Sequence, residues 1–214
     1  MTVKKRAIDG LYAITPDELD TAELLRKSRA VLQGGARVLQ YRNKLANGDL
    51  RFEQAQALRQ LTRAYGATFI VNDETALALA TDADGVHLGA ADGSIAAART
   101  LLGEERLIGA SCYNRAPLAI EAVQQGADYV AFGAFFPSGV KPKAVKAEIA
   151  MLHSVRCEIT LPIVAIGGIT VQNGAALIEA GADALAVISA LWRAPDIEQA
   201  AKAFSNLFRQ GRPA

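Results

Sequence analysis

Short apolar runs recur along the chain and stop at polar or glycine residues. Between them lie longer stretches with apolar residues at helical spacing. The runs are Gly10 to Thr15, Val38 to Tyr41, Phe69 to Val71, Gly85 to Leu88, Leu107 to Ser111, Tyr129 to Phe132, Ile163 to Ile166 and Ala184 to Ile188. Each is short and bounded by turn residues, as a buried strand is. Intervening helices are expected over 17–34, 50–65, 74–81, 94–102, 116–125, 146–156, 170–180 and 196–208. Asp17 or Thr21 could cap the first, and Gly34, Gly66, Gly126 and Gly181 mark helix ends. Strand and helix alternate eight times with no linker or low-complexity run, which predicts one α/β domain, a (β/α)₈ TIM barrel over 1–214. Frayed ends are expected at about 1–8 and 210–214. A doubly wound open sheet is the alternative, but no GxGxxG follows the first strand.

Composition changes this picture little. The 214 residues are 51% hydrophobic and 21% charged, with a formal net charge of +1. Nothing in that balance suggests a nucleic-acid surface or a membrane partner. The basic N-terminal stretch lacks the apolar run of a secretory signal, so a cytoplasmic location is the default expectation. Cys112 and Cys157 match neither a disulfide framework nor a metal cluster, and Cys112 reads as a buried, inert thiol. An apolar patch on the outer helices could serve a homo-oligomer, but no helix stands out for it.

In such a barrel the loops after the strands build the site. They carry Gln40, Arg42 and Lys44, then Asn72 and Asp73, then Asp92, Ser111, Ser138 and Lys141, Gly167 and Gly168, and Ser189. Asp73 and Asp92 end neighbouring parallel strands, where a carboxylate pair can hold Mg²⁺. Each could instead cap the helix that follows it. Gly168 with Ser189 fits the phosphate site that barrels build after strands seven and eight. Arg42, Lys44 and Lys141 suit a diphosphate, with a metal bridging it to the carboxylates. The rim thus implies two anion sites and a substrate whose leaving group is pyrophosphate. No histidine base is needed, and His87 and His153 read as structural.

GLYAIT, LQYRNK, FIVND, GVHLG with Asp92, IGAS, GADYVAFGAFFPS with Lys141, PIVAIGGIT and GADALAVIS, in that order and nearly end to end, resemble the thiamin phosphate synthase (thiamin-phosphate pyrophosphorylase) family. The resemblance implies a transferase that joins 4-amino-2-methyl-5-hydroxymethylpyrimidine diphosphate to thiazole phosphate. Pyrophosphate leaves first, Mg²⁺ is the cofactor, and the thiazole nitrogen attacks the resulting pyrimidine-methyl cation. Carried over, Gln40, Tyr41, Arg42, Asn43, Lys44, Asn72 and Lys141 would bind the pyrimidine diphosphate, and Asp73 and Asp92 would hold the metal. Ser111 would lie near the pyrimidine and the pyrophosphate. Ser138, Gly139, Val140, Gly168, Ile188 and Ser189 would hold the thiazole phosphate. Arg42, Lys44, Ser111 and Lys141 would serve the chemistry. Two threonines are common where Ser138 and Val140 stand, and the residue after Gly89, often glutamine, is Ala90. Thiazole tautomerases share the fold and the phosphate site, but use a histidine near Tyr113. A non-catalytic binder of a thiamin precursor is the remaining alternative.

Overall fold

The computed structural model describes residues 7–137 and 145–210. Eight parallel strands close into a barrel in sequence order. They are β1 (Gly10–Ile14), β2 (Val38–Tyr41), β3 (Thr68–Asn72), β4 (Gly85–Leu88), β5 (Leu107–Tyr113), β6 (Tyr129–Phe132), β7 (Ile163–Ile166) and β8 (Ala184–Val187). β8 pairs with β1 through Gly10 opposite Ala184, which closes the ring. The helices are α1 (Thr21–Gln33), α2 (Gly48–Ala64), α3 (Thr75–Ala80), α4 (Ile95–Leu102), α5 (Ala116–Gln124), α6 (Ile149–Glu158), α7 (Val171–Glu179), α8 (Ser189–Trp192) and α9 (Ile197–Gln210). Among the described residues no helix is long and apolar enough to cross a membrane.

The period of two along each strand sorts the core into two shells. Leu39, Phe69, Val71, Val86, Ile108, Val130, Ala165 and Leu185 face outward to the helices. Tyr12, Val38, Ile70, Leu107, Tyr129, Val164 and Ala184 fill the barrel. Ile8, placed by the sequence pattern in a frayed end, is buried in that inner shell.

One device repeats along the barrel floor. An aspartate precedes β4, β6 and β8, and each accepts an N–H from the first two residues of the strand before. Asp84 Oδ2 accepts from Phe69, Asp128 Oδ2 from Ile108 and Asp183 Oδ2 from Ile163, each at 2.8 Å. The same oxygens pair with arginines of the even helices: Arg59 of α2 at 2.8 Å, Arg99 of α4 and Arg156 of α6. At the first strand pair the signs are reversed, with Arg37 before β2 bound to Asp9 before β1 at 2.8 Å. These staples join strands in pairs at the end opposite the site and leave the other rim to loops.

Some helix starts differ from the sequence expectation. Asp20 caps α1, accepting from Ala22 and Glu23, so neither Asp17 nor Thr21 does. Asn47 caps α2 and Ser94 caps α4. Lys146 precedes α6, which begins at Ile149. α8 is absent from the sequence pattern: its four residues begin one residue after β8, and Trp192 Nε1 donates to the Ile14 carbonyl at 2.6 Å. That bond ties the end of β8 to the end of β1.

Candidate active site

A cavity of about 380 Å³ opens at the strand C-termini. Gln40, Arg42, Asn72, His87 and Ser111 line it on one side, and Ile166, Gly167, Ala186 and Ile188 on the other. Two smaller pockets flank it. One is bounded by Arg42, Lys44, Arg51, Asn72, Asp73 and Glu74. The other lies between the loops after β7 and β8, bounded by Gly167, Gly168, Ile188 and Ser189. Arg42 and Asn72 are shared by the central cavity and the first pocket, and Ile166, Gly167, Ala186 and Ile188 by the cavity and the second.

Neither Asp73 nor Asp92 is a helix cap. Glu74 holds the N-cap position of α3 and Ser94 that of α4. Asp92 Oδ2 instead accepts the Gly89 N–H at 3.0 Å, which turns its carboxylate back toward β4. Burial and the adjacent Asp92 push the Asp73 carboxyl above its usual range, and Lys44, with Nζ 3.7 Å from Asp73 Oδ2, offsets this in part. Two carboxylates held together by separate loops repel unless a cation joins them. Among the described residues no cluster of three or more His, Cys, Asp or Glu side chains could hold a metal. Two carboxylates suffice for Mg²⁺ when a phosphate completes the shell, so this pair fits that ion.

Asp73 also has φ 63°, a conformation that asparagine tolerates better than most residues. Its folded-state pKa lies above the unfolded one, so the ionised group destabilises the fold, increasingly so as pH rises through the raised value. Asp73→Asn is therefore expected to raise the metal-free melting temperature at neutral pH by about 1–3 °C. Differential scanning calorimetry checks this, and a lower Tm contradicts the repulsion.

The cations are tethered. Arg42 Nη1 lies 3.3 Å from Asp17, whose Oδ1 also accepts the Lys44 N–H at 2.6 Å. Thr15 Oγ1 fixes the loop's start, accepting from Arg42 N and donating to Arg42 O. Arg51, which the sequence pattern did not single out, pairs with Glu74 on the same pocket wall. An incoming diphosphate would compete with these carboxylates for the cations.

Two expected ligand contacts, Tyr41 and Asn43, border only the outer pocket, with their polar groups turned into the scaffold. Tyr41 is buried against α2, with its hydroxyl donating to Gln54 Oε1 at 2.9 Å. It touches the outer pocket but does not line the central cavity. Asn43 is also buried, and its amide donates to Glu18 O and Gln54 Oε1 while Oδ1 accepts from Leu45 and Ala46. Both shape the loop after β2, because bonded side chains at its base must be satisfied by the scaffold. Ser138, Gly139, Val140 and Lys141 lie outside the described residues. Cys112 is buried and its thiol is pushed up to about 12 by that burial, as an inert thiol should be.

His87, expected to be structural, also reaches the cavity. Its Nε2 lies 2.9 Å from Ser111 Oγ and its Nδ1 3.1 Å from the Tyr129 hydroxyl. Strand periodicity could have found it, because His87 pairs with Asn72 on the inward face. Tyr113, at φ 53° and partly exposed, ends β5 on the same rim, past a register shift between Ser111 and Tyr113.

In the flanking recess, Gly168 has φ 62°, and a Cβ there would come within 2.5 Å of Pro137 O and 2.6 Å of Phe136 O. Asn173 binds the Gly168 carbonyl and the Thr170 N–H, fixing the turn into α7. Gly168→Ala should therefore displace the loop after β6, cost about 1–3 kcal/mol in urea unfolding and weaken any ligand of the recess. Unchanged unfolding would mean the two loops do not lock.

The family profile of thiamine monophosphate synthase matches residues 11–191. Thiamine-phosphate synthase of Methylobacillus flagellatus is 59% identical over 201 residues, covering 94% of this chain and 96% of the relative. That of an Azoarcus species is 53% identical, covering 94% and 98%. Among solved structures, a thiamine phosphate pyrophosphorylase from Pyrococcus furiosus superposes with a TM-score of 0.86 at 36% identity, covering 95% of this chain and 97% of that one.

Proposed function

The chain belongs to the thiamine monophosphate synthase family, and from that premise we infer that it condenses the pyrimidine and thiazole halves of thiamine phosphate. It is an alkyl transferase whose leaving group is pyrophosphate. The observation that carries this reading is the shared lining: one cavity joins a cation-and-carboxylate pocket on one side to a glycine-walled recess on the other. A diphosphate and a monophosphate could each be held at their own end, with both rings meeting in between.

In this reading Gln40 and Asn72 hold the pyrimidine, and Arg42 and Lys44 leave Asp17 and Asp73 to take the diphosphate. Asp73 and Asp92 would hold Mg²⁺, which when bound neutralises charge on the departing pyrophosphate. Ser111 stands at the cavity wall within reach of the same group. Ile14, Val164, Ile166, Ala186 and Ile188 give the cavity apolar walls, which keep water from a pyrimidine-methyl cation. The recess with Gly168, Ile188 and Ser189 would take the thiazole phosphate through backbone N–H groups and a hydroxyl. Roles for Ser138, Gly139, Val140 and Lys141 rest on the family resemblance.

A pyrophosphate-release assay with both precursors and Mg²⁺, then with each omitted, tests this. Release and thiamine phosphate formation are expected only when all three are present. Binding of thiazole phosphate alone, without turnover, would move the protein to the tautomerase-like or non-catalytic reading.

A further inference from the structure

Five polar side chains cross the inside of the barrel in one unbroken line. Gln40 Nε2 lies 2.8 Å from Tyr12 Oη, Tyr12 Oη 2.9 Å from Tyr129 Oη, Tyr129 Oη 3.1 Å from His87 Nδ1 and His87 Nε2 2.9 Å from Ser111 Oγ. The line joins β2, β1, β6, β4 and β5, and its two ends, Gln40 and Ser111, both line the cavity. Tyr129 does not line the cavity. Its ring lies in space that a Cβ on Gly109 would fill, 2.0 Å from its Cζ, so the glycine opposite it in β5 makes room for the ring. The His87 and Tyr129 rings stack, with centroids 5.5 Å apart.

We propose that this chain is a positioning network that sets the hydrogen-bond polarity of the cavity wall, holding His87 as its Nε2–H tautomer and Ser111 as a donor into the cavity. The argument is a count of protons. Burial pushes the Tyr12 and Tyr129 hydroxyls up, so each stays neutral and has one hydrogen to give. Gln40 donates to Tyr12, whose hydrogen then goes to Tyr129. Tyr129 donates onward to His87 Nδ1, so the imidazole hydrogen sits on Nε2 and is given to Ser111. The Ser111 hydroxyl hydrogen is left to point into the cavity, toward a ligand acceptor such as a phosphate oxygen.

The opposite polarity has Ser111 donating to His87, His87 Nδ1–H to Tyr129 and Tyr129 to Tyr12. Tyr12 would then accept twice, and its own buried hydrogen would have no acceptor among the described residues, which is the costly arrangement. Within the network, a flip of the Gln40 amide repairs this; Tyr12 otherwise has only the cavity it lines to donate into. The donor at one cavity wall is thus coupled to the amide orientation at the other. Gln40 offers its carbonyl oxygen to a ligand when Ser111 offers its hydrogen.

The coupling rests on the functional reading only for the identity of the ligand. It is tested without substrate by two-dimensional ¹H–¹⁵N spectra of [¹⁵N]histidine-labelled protein at about pH 8, above the ordinary imidazole range. The chain has two histidines, and a His153→Gln variant assigns them. His87 is expected in the Nε2–H form, and Tyr129→Phe is expected to release it to a tautomer mixture. An Nδ1–H form in the wild-type protein, or an unchanged His87 pattern in Tyr129→Phe, overturns the proposal. In the synthase assay Tyr129→Phe is expected to lower kcat/KM roughly three- to tenfold, the worth of one net hydrogen bond. Full activity with a released tautomer would also overturn it. Failure of the omission assay with the Nε2–H form intact would remove the functional reading and leave the network standing.

Discussion

Asp92→Ala is expected to lower Mg²⁺-dependent turnover by at least about 10²–10³-fold, the usual loss when one stabiliser of developing charge is removed, while leaving the fold intact. Asp92 is exposed and its carboxylate accepts the Gly89 N–H at 3.0 Å, so little stability depends on it. Its removal also takes a negative charge away from Asp73, whose carboxyl is held high partly by Asp92. Steady-state kinetics across a Mg²⁺ titration and a thermal melt of the same protein separate the two effects. Full activity would end the metal assignment. A collapsed melt would mean that the carboxylate builds the loop rather than binding an ion.

The largest stability effect is expected at the opposite end of the barrel. Asp128 Oδ2 accepts both the Ile108 N–H at 2.8 Å and the Arg99 guanidinium, and the two side chains are only 13% and 14% exposed. Arg99 also donates to the carbonyls of Gly103, Arg106 and Gly126, so it gathers the start of β5 and the turn before β6 around itself. Asp128→Ala would leave a nearly buried guanidinium and a strand N–H without this acceptor. Breaking such a pair costs about 3–5 kcal/mol, which for a chain of this size lowers Tm by about 6–20 °C. Urea unfolding should show the full loss, with kcat affected far less because the staple lies at the floor. A loss below about 1 kcal/mol would place this pair with ordinary surface ion pairs.

The two experiments probe opposite ends of one design. At the floor, charges of opposite sign are matched and bound to backbone. At the rim, Asp73 and Asp92 face each other and the cations are only loosely tethered, with Lys44 3.7 Å from Asp73. Unmatched charge is tolerated where a ligand can match it, and such sites exchange stability for function.

The eight strands and their order were legible because each is a short apolar run ended by glycine or a polar group, and the observed strands fall within a residue or two of those runs. The rim residues Arg42, Lys44, Asn72, Asp73, Asp92 and Ser111 were legible for the same reason: in a barrel, position after a strand is position at the site. What sequence spacing could not say is which way a side chain turns. Tyr41 and Asn43 sit in the right loop, yet their polar groups are taken by Gln54 and Glu18 O. Asp17, which reads as a candidate cap, instead holds Arg42 and the Lys44 N–H from the loop after β1.

The sequence by itself determined the alternation of elements, the parity of each strand and the set of groups at the rim, because these depend on local order along the chain. Only the tertiary structure decided the partners. The line from Gln40 to Ser111 draws on five different strands, with Tyr12 and Tyr129 separated by 117 positions. The floor staples likewise join an arginine of one helix, the N–H of the next strand and an aspartate beyond the following helix. Hydrogen bonds need atoms within about 3 Å, and closure of the barrel is what brings residues so distant in sequence to that separation.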